Sequence, residues 1–211
     1  MAIDDLLDEH EQGERVRQWL RENGAGLVGG VLIGLAAIGG WQWWQKHQAQ
    51  QRVEIAGHYD AVGDRIDASK LDEAQAQVAK LPQGVYAALA ALDLAKAQLE
   101  AGKRDAAIAT LRNAKIEDPA LAAVANTRLA QLLVDAGKAR DALALLPADS
   151  TNAGIQQVRG DALFALGDAA QARDAYQKAL THMDVAAPQR RLVELKLSQA
   201  GGMPAKPEAR S

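Results

Sequence analysis

Residues Gly24 to Trp44 read GAGLVGGVLIGLAAIGGWQWW, and from Asn23 through Gln45 no side chain ionises. These 21 residues, as a helix rising ~1.5 Å per residue, match the ~30 Å hydrocarbon core of a bilayer. The stretch reads as a transmembrane helix, so the fold and the function must both be compatible with a membrane tether. A cleaved secretory signal has an apolar core of only ~7–15 residues behind a basic start. Here the start is acidic and the run longer, which favours an uncleaved anchor. The span separates a tail, residues 1–23, from a longer segment, residues 45–211.

Charge is spread unevenly over these parts. The tail holds seven acids (Asp4, Asp5, Asp8, Glu9, Glu11, Glu14, Glu22) against Arg15, Arg17 and Arg21, a net −4. Residues 45–211 hold 21 basic and 20 acidic side chains, a net +1, which is not the basic footprint of a nucleic-acid binder. With no Cys, the chain has no disulfide framework and no thiolate metal site. The segment after the span is rich in Ala, Leu, Gln and Asp and poor in aromatic and β-branched residues, so an all-α fold is expected.

Within the tail, Val16, Trp19 and Leu20 fall on one helical side, and Glu11 stands four residues before Arg15. A short juxtamembrane helix is expected there. All four Trp residues flank the span, Trp19 on the tail side and Trp41, Trp43 and Trp44 on the other, where amphipathic rings settle at headgroup level. Arg15, Arg17 and Arg21 outnumber the nearby Lys46 and Arg52, which places the tail in the cytoplasm and the larger domain outside, in the periplasm of a Gram-negative cell. Gly26, Gly30 and Gly34 recur every fourth residue as two overlapping GxxxG units, a stripe on which another helix can pack closely.

Beyond the span the chain repeats. A Gly followed five residues later by Ala recurs at Gly102/Ala107, Gly137/Ala142 and Gly167/Ala172, with small residues Ala95, Ala130 and Gly160 twelve positions before each Ala. The glycines are 35 and 30 residues apart. The pattern resembles the tetratricopeptide repeat, a pair of antiparallel helices of ~34 residues with a Gly at the turn and small residues at the crossing. Pro147 cuts the second unit short. A degenerate unit precedes them, pairing a helix from about Gln48 to Arg65, which can continue the membrane helix, with one from about Ser69 to Lys80 that Pro82 stops. After Pro188, QRRLVELKLSQA predicts a last helix that caps the stack with a solvated outer face. The expected domains are therefore a cytoplasmic tail (1–23), a transmembrane helix (24–44), an α-solenoid of helical hairpins with its capping helix (45–200) and a disordered end (201–211).

No enzyme motif appears. His10, His47, His58 and His182 never form an HExxH pair, and no Gly-rich loop leads into Lys-Ser/Thr, so no catalytic, cofactor or metal site is expected. Stacked hairpins instead offer a concave surface lined by the first helix of each unit, suited to a protein segment. The inward positions are Leu92, Lys96 and Leu99 in the first unit, Thr127, Gln131 and Val134 in the second, and Gln157, Asp161 and Phe164 in the third. The same positions can instead fill the core between helices, an alternative that the pattern leaves open.

The order of parts, with ERVRQWLRENG before the span, WQWWQKHQ after it, then VYAALAALDLAKAQ, RGDALFALGDAAQAR and a closing LVELKLSQ, resembles the YfgM family over nearly the full chain. These are ancillary subunits of the SecYEG translocon. The resemblance implies a single-pass inner-membrane protein whose periplasmic domain associates with SecYEG and with the membrane-anchored foldase PpiD, without catalytic residues. On that reading the chain is a scaffold that assists translocated proteins. A holdase for unfolded clients, or a scaffold of another envelope complex, are the alternatives.

Overall fold

The computed structural model describes residues 4–203, with side chains from Gly13 onward. The described residues are helical, with no strand, and form two compact units divided between Glu54 and Ile55. The helices are α1 (Asp4–Asp67), α2 (Leu71–Val78), α3 (Val85–Glu100), α4 (Arg104–Asn113), α5 (Pro119–Asp135), α6 (Ala139–Ala144), α7 (Ala153–Ala165), α8 (Ala169–His182) and α9 (Arg190–Gln199).

The first unit is the α1 segment up to Glu54. Its Gly-rich sequence is a poor helix former in water, but hydrocarbon offers no alternative partner for the backbone, which favours the helix there. Leu27, Val28, Val31, Leu32, Ile33, Leu35 and Ile38 are each about half exposed or more, an apolar belt that in water would be an association surface. No ionised side chain interrupts it, so the segment is long and apolar enough to cross a membrane. The expected juxtamembrane helix is part of α1, and the side chains of residues 1–12 lie outside the described residues.

In the second unit the chain folds into antiparallel hairpins. The end of α1 pairs with α2, α3 with α4, α5 with α6 and α7 with α8, and α9 follows alone. One turn is used repeatedly. Gly102, Gly137 and Gly167 take φ of 75°, 73° and 84°, the left-handed region where a Cβ costs energy. Each donates its N–H to the carbonyl three residues back, and the next residue donates to the carbonyl five back, as in Gly102 to Leu99 (2.9 Å) and Lys103 to Gln98 (2.8 Å). That next residue is at once the N-cap of the following helix: Lys103, Lys138 or Asp168. The degenerate hairpin makes the same turn with a non-glycine. Ser69 sits at φ 59°, donating to Ile66 at 2.8 Å, while Lys70 donates to Arg65 at 2.8 Å.

Hairpin helices meet at small side chains. Ala95 with Ala107, Ala130 with Ala142, and Gly160 with Ala172 are all buried, as their period requires. In the third hairpin the ring of Tyr176 occupies the space a Cβ on Gly160 would need, since that Cβ would lie 2.4 Å from the ring. Between hairpins, Asp118 and Asn152 cap α5 and α7, each accepting two backbone N–H bonds. α6 has only six residues because Pro147 ends it early. The loop that follows is pinned from α7, where Gln156, 1% exposed, donates to the carbonyls of Ala148 and Ser150 and Arg159 donates to that of Leu146.

α9 closes the stack through Val193 and Leu197, both buried, and through Arg190, which donates to the carbonyls of Leu180 and Met183 at the end of α8. Its outer face is mixed rather than purely polar, with Leu192 and Leu195 exposed. Gly201 (φ 81°) and Gly202 complete the same turn that follows the earlier helices, with Gly202 donating to Leu197. The rest of the expected disordered end, residues 204–211, lies outside the described residues.

Two substitutions should move thermal stability in opposite directions when helix content is followed on heating. Gly160→Ala drives a methyl group into the ring contacted at 2.4 Å and should destabilise by about 1–3 kcal/mol. Ser69→Gly relieves the left-handed Cβ and should stabilise by up to about 1 kcal/mol after the extra chain entropy of Gly is offset.

Candidate protein-binding groove

The three turns align the hairpins residue by residue, so equivalent positions can be compared along the first helices α3, α5 and α7. Four residues before each glycine stand Gln98, Leu133 and Leu163, all buried between helices. Three residues before it stand Leu99, Val134 and Phe164, which are more open: Leu99 and Phe164 are exposed and Val134 half-buried. One residue therefore separates core from surface along these helices. The expected lining sorts accordingly. Lys96 and Gln131 are exposed, and Thr127, Gln157 and Asp161 are half-buried. Leu92 is 4% exposed and belongs to the core cluster that includes Ala125 and Leu129 of α5. It fills the space between α3 and α5 and leaves nothing for a ligand to touch. Lys96 has only a loose ion pair with Glu100 at 3.8 Å, one turn along α3.

Four of the anticipated residues come together. Gln131, Val134, Asp161 and Phe164 line one hollow of about 280 Å³, completed by Asp135, Ala165, Tyr176, Lys196 and Gln199. Asp161 is not a free charge there. Its Oδ1 accepts from the Tyr176 hydroxyl at 2.8 Å and its Oδ2 from the Lys196 ammonium at 2.7 Å, which ties α7 to α8 and α9. Burial, reinforced by the hydrogen bond to Asp161, pushes the Tyr176 phenol well above its usual range.

Lys196 and Gln199 are not among the inward positions that the repeat spacing predicts, because α9 reads as a cap. A signal for them was present. Gly201 follows Gly167 by 34 residues, so α9 is placed like the first helix of a further unit. Val193 and Leu197 then occupy the buried positions held by Leu94 and Gln98 in α3. What hid the equivalence is Glu194, which stands where α3, α5 and α7 carry Ala95, Ala130 and Gly160. No second helix crosses α9 among the described residues, so no small side chain is needed there.

A second hollow, also of about 280 Å³, lies between the last turns of α1 and α3, where Tyr59, Val62 and Ile66 are rimmed by Asp60, Asp64, Asp67 and Asp93. Tyr59 donates to Asp93 at 2.8 Å and packs on Tyr86 at 5.6 Å between ring centres. Among the described residues no group of three His, Cys, Asp or Glu side chains is placed to hold a metal ion.

On α1, Trp19, Trp41, Trp43 and Trp44 are all exposed. Trp41 packs on Trp44 with centroids 5.3 Å apart, and Trp43 stacks on His47 at 5.7 Å. A Cβ added at Gly26, Gly30 or Gly34 would meet no atom within 4 Å, so that side of the helix is open.

Residues 17–202 match the family of tetratricopeptide repeat-like domains. The chain is similar to proteins named ancillary SecYEG translocon subunit from three bacteria. The Escherichia coli K12 protein is 32% identical over 177 residues, which cover 81% of this chain and 86% of that one. The Haemophilus influenzae protein is 30% identical over 185 residues, covering 82% and 89%. The Aggregatibacter actinomycetemcomitans protein is 26% identical over 202 residues, covering 91% and 97%. No solved structure matches the chain significantly.

The Tyr176 phenol has an alkaline consequence. Its folded pKa lies above the ordinary value of 10.0, so below that pH both the folded and unfolded states keep the proton and Tyr176 adds no pH dependence. Above it the unfolded chain releases the proton while the folded chain holds it, and stability falls as pH rises. Denaturant melts between pH 9 and 11 should show a steeper decline for the wild type than for Tyr176→Phe, and equal slopes would contradict this role.

Proposed function

Because this chain belongs to the tetratricopeptide repeat-like family, and within it to the ancillary SecYEG translocon subunits, we propose that it is a non-enzymatic scaffold anchored beside the bacterial translocon. The observation that carries the proposal is a helical repeat domain on the same chain as an apolar helix long enough to span a bilayer, with similarity to translocon subunits over about four fifths of the sequence. On this reading the protein is a single-pass inner-membrane subunit with residues 1–23 in the cytoplasm and the repeats in the periplasm, an orientation that the excess of Arg15, Arg17 and Arg21 over Lys46 and Arg52 favours. Trp19, Trp41, Trp43 and Trp44 anchor it at the two interfaces, and the open stripe of Gly26, Gly30 and Gly34 receives a partner helix.

In this role the repeats link the channel to a periplasmic foldase of the PpiD type and so assist the handling of translocated polypeptides. The contact surface is the open side of α3, α5 and α7, through Lys96, Leu99, Thr127, Gln131, Val134, Gln157, Asp161 and Phe164. The test is photo-crosslinking in native membranes from single positions, Gly30 or Trp43 in the span and Gln131 in the repeats, with adducts identified by mass spectrometry. SecYEG subunits are expected from the span positions and a PpiD-type foldase from Gln131. Adducts that contain no SecYEG subunit would overturn the proposal, and an unfolded client alone at Gln131 would make the repeats a holdase instead.

A further inference from the structure

The hollow between α5, α7 and α9 has a volume of about 280 Å³, just under the ~300–1,000 Å³ of small-molecule sites. It has the size for one bulky side chain of a polypeptide. Apolar surface comes from Val134, Ala165 and Phe164, the last 44% exposed although aromatic. Its two amides, Gln131 and Gln199, carry both donors and acceptors that match an extended backbone.

The charges decide which polypeptide fits. Lys196 and Asp161 neutralise each other at 2.7 Å, and the second oxygen of Asp161 is taken by Tyr176, so neither is free to select a ligand. Asp135 differs. It is exposed at the end of α5 and its carboxylate has no ion pair among the described residues. The nearby Arg104 reaches the Asp135 backbone carbonyl at 3.5 Å rather than the carboxylate. An acidic segment would bring a like charge to the Asp135 carboxylate, whereas a basic one would give that carboxylate the direct ion pair that Arg104, held at the carbonyl, does not make.

We propose that this hollow takes an apolar side chain of a partner polypeptide that carries a lysine or arginine beside it, the apolar group resting on Phe164 and Val134 and the cation meeting Asp135. The proposal rests on the reading of the repeats as a protein-holding surface, and gives that surface a chemical preference.

The test uses the full chain in nanodiscs and the anisotropy of fluorescein-labelled peptides. The peptides are Gly-Ser-Phe-Arg-Ser-Gly, its Phe-Glu counterpart, and Gly-Ser-Ser-Arg-Ser-Gly, which lacks the apolar group. The Phe-Arg peptide should bind about tenfold tighter than either control, equivalent to about 1.4 kcal/mol. Phe164→Ala should remove that advantage, and Asp135→Lys should reverse the choice between Arg and Glu. Both side chains are exposed, and circular dichroism verifies that the variants keep their helices. No binding of the Phe-Arg peptide, equal binding of the charge-swapped pair, or indifference to either substitution would overturn the proposal. Co-purification of the same protein with SecYEG is read separately. A chain that binds the peptide without SecYEG sinks only the translocon role, and a chain that keeps SecYEG without peptide selectivity sinks only this inference.

Discussion

In three hairpins, α3 with α4, α5 with α6 and α7 with α8, equivalent buried positions on the two helices carry no side chain larger than a methyl group, and the rest of the repeat domain depends on that small volume. Ala95 against Ala107, Ala130 against Ala142 and Gly160 against Ala172 are buried at equivalent positions. Small residues at a crossing bring helix axes toward the short end of the usual 8–10 Å range. Larger side chains four residues on, Leu111 of α4, Leu146 just after α6 and Tyr176 of α8, then close over these positions and reach 5%, 4% and 2% exposure. Tyr176 can approach α7 this closely only because Gly160 has no Cβ. Its hydroxyl is thereby brought to Asp161, and Asp161 to Lys196, so a missing methyl group on one helix positions the polar chain that joins three.

The turn between the helices is the second constraint. A left-handed residue followed at once by the next N-cap leaves almost no loop, so both helices of a hairpin start in a fixed register. Ser69 makes the same turn without the glycine, which shows that the packing of Val62, Leu71, Ala74 and Leu94 is sufficient to hold a conformation that the local sequence disfavours. That first hairpin also contributes a polar core contact. The Thr110 hydroxyl lies 2.7 Å from Gln98 Oε1 and 2.9 Å from Gln75 Oε1, and the Gln98 amide donates to Gln75. The buried Gln98 and Thr110 thus find polar partners in each other and in the exposed Gln75, and the arrangement joins α2, α3 and α4 in one register.

Part of the hollow's lining was legible from spacing alone. Gln131, Val134, Asp161 and Phe164 were assigned to one surface from their distance to a glycine, and they line one hollow. Leu92 shows the limit of that reasoning. It occupies the same repeat position as Thr127 and Gln157, yet it is buried while they are half-buried. Periodicity locates the face of a helix, but burial depends on what the neighbouring helix places over that face, and Ala125 and Leu129 of α5 share the Leu92 cluster. Lys196 and Gln199 were missed for a related reason. Only three hairpins carry the paired small residues, and α9, which has no second helix to cross it, shows Glu194 at that position.

By itself the sequence determined the apolar helix, the all-α class, the hairpin repeat and the places where the chain turns. Each of these follows from local rules: a run without charge as long as a bilayer is thick, a period of small residues, and glycines where φ must be positive. The tertiary structure decided which inward positions are core and which are open. It also decided that the Asp161 carboxylate is already committed to Tyr176 and Lys196 while that of Asp135 is not. Those outcomes depend on distances between residues as much as 35 positions apart, as Asp161 and Lys196 are. No local rule contains them, because the energy of a charge is set by the groups that packing brings within a few ångströms of it.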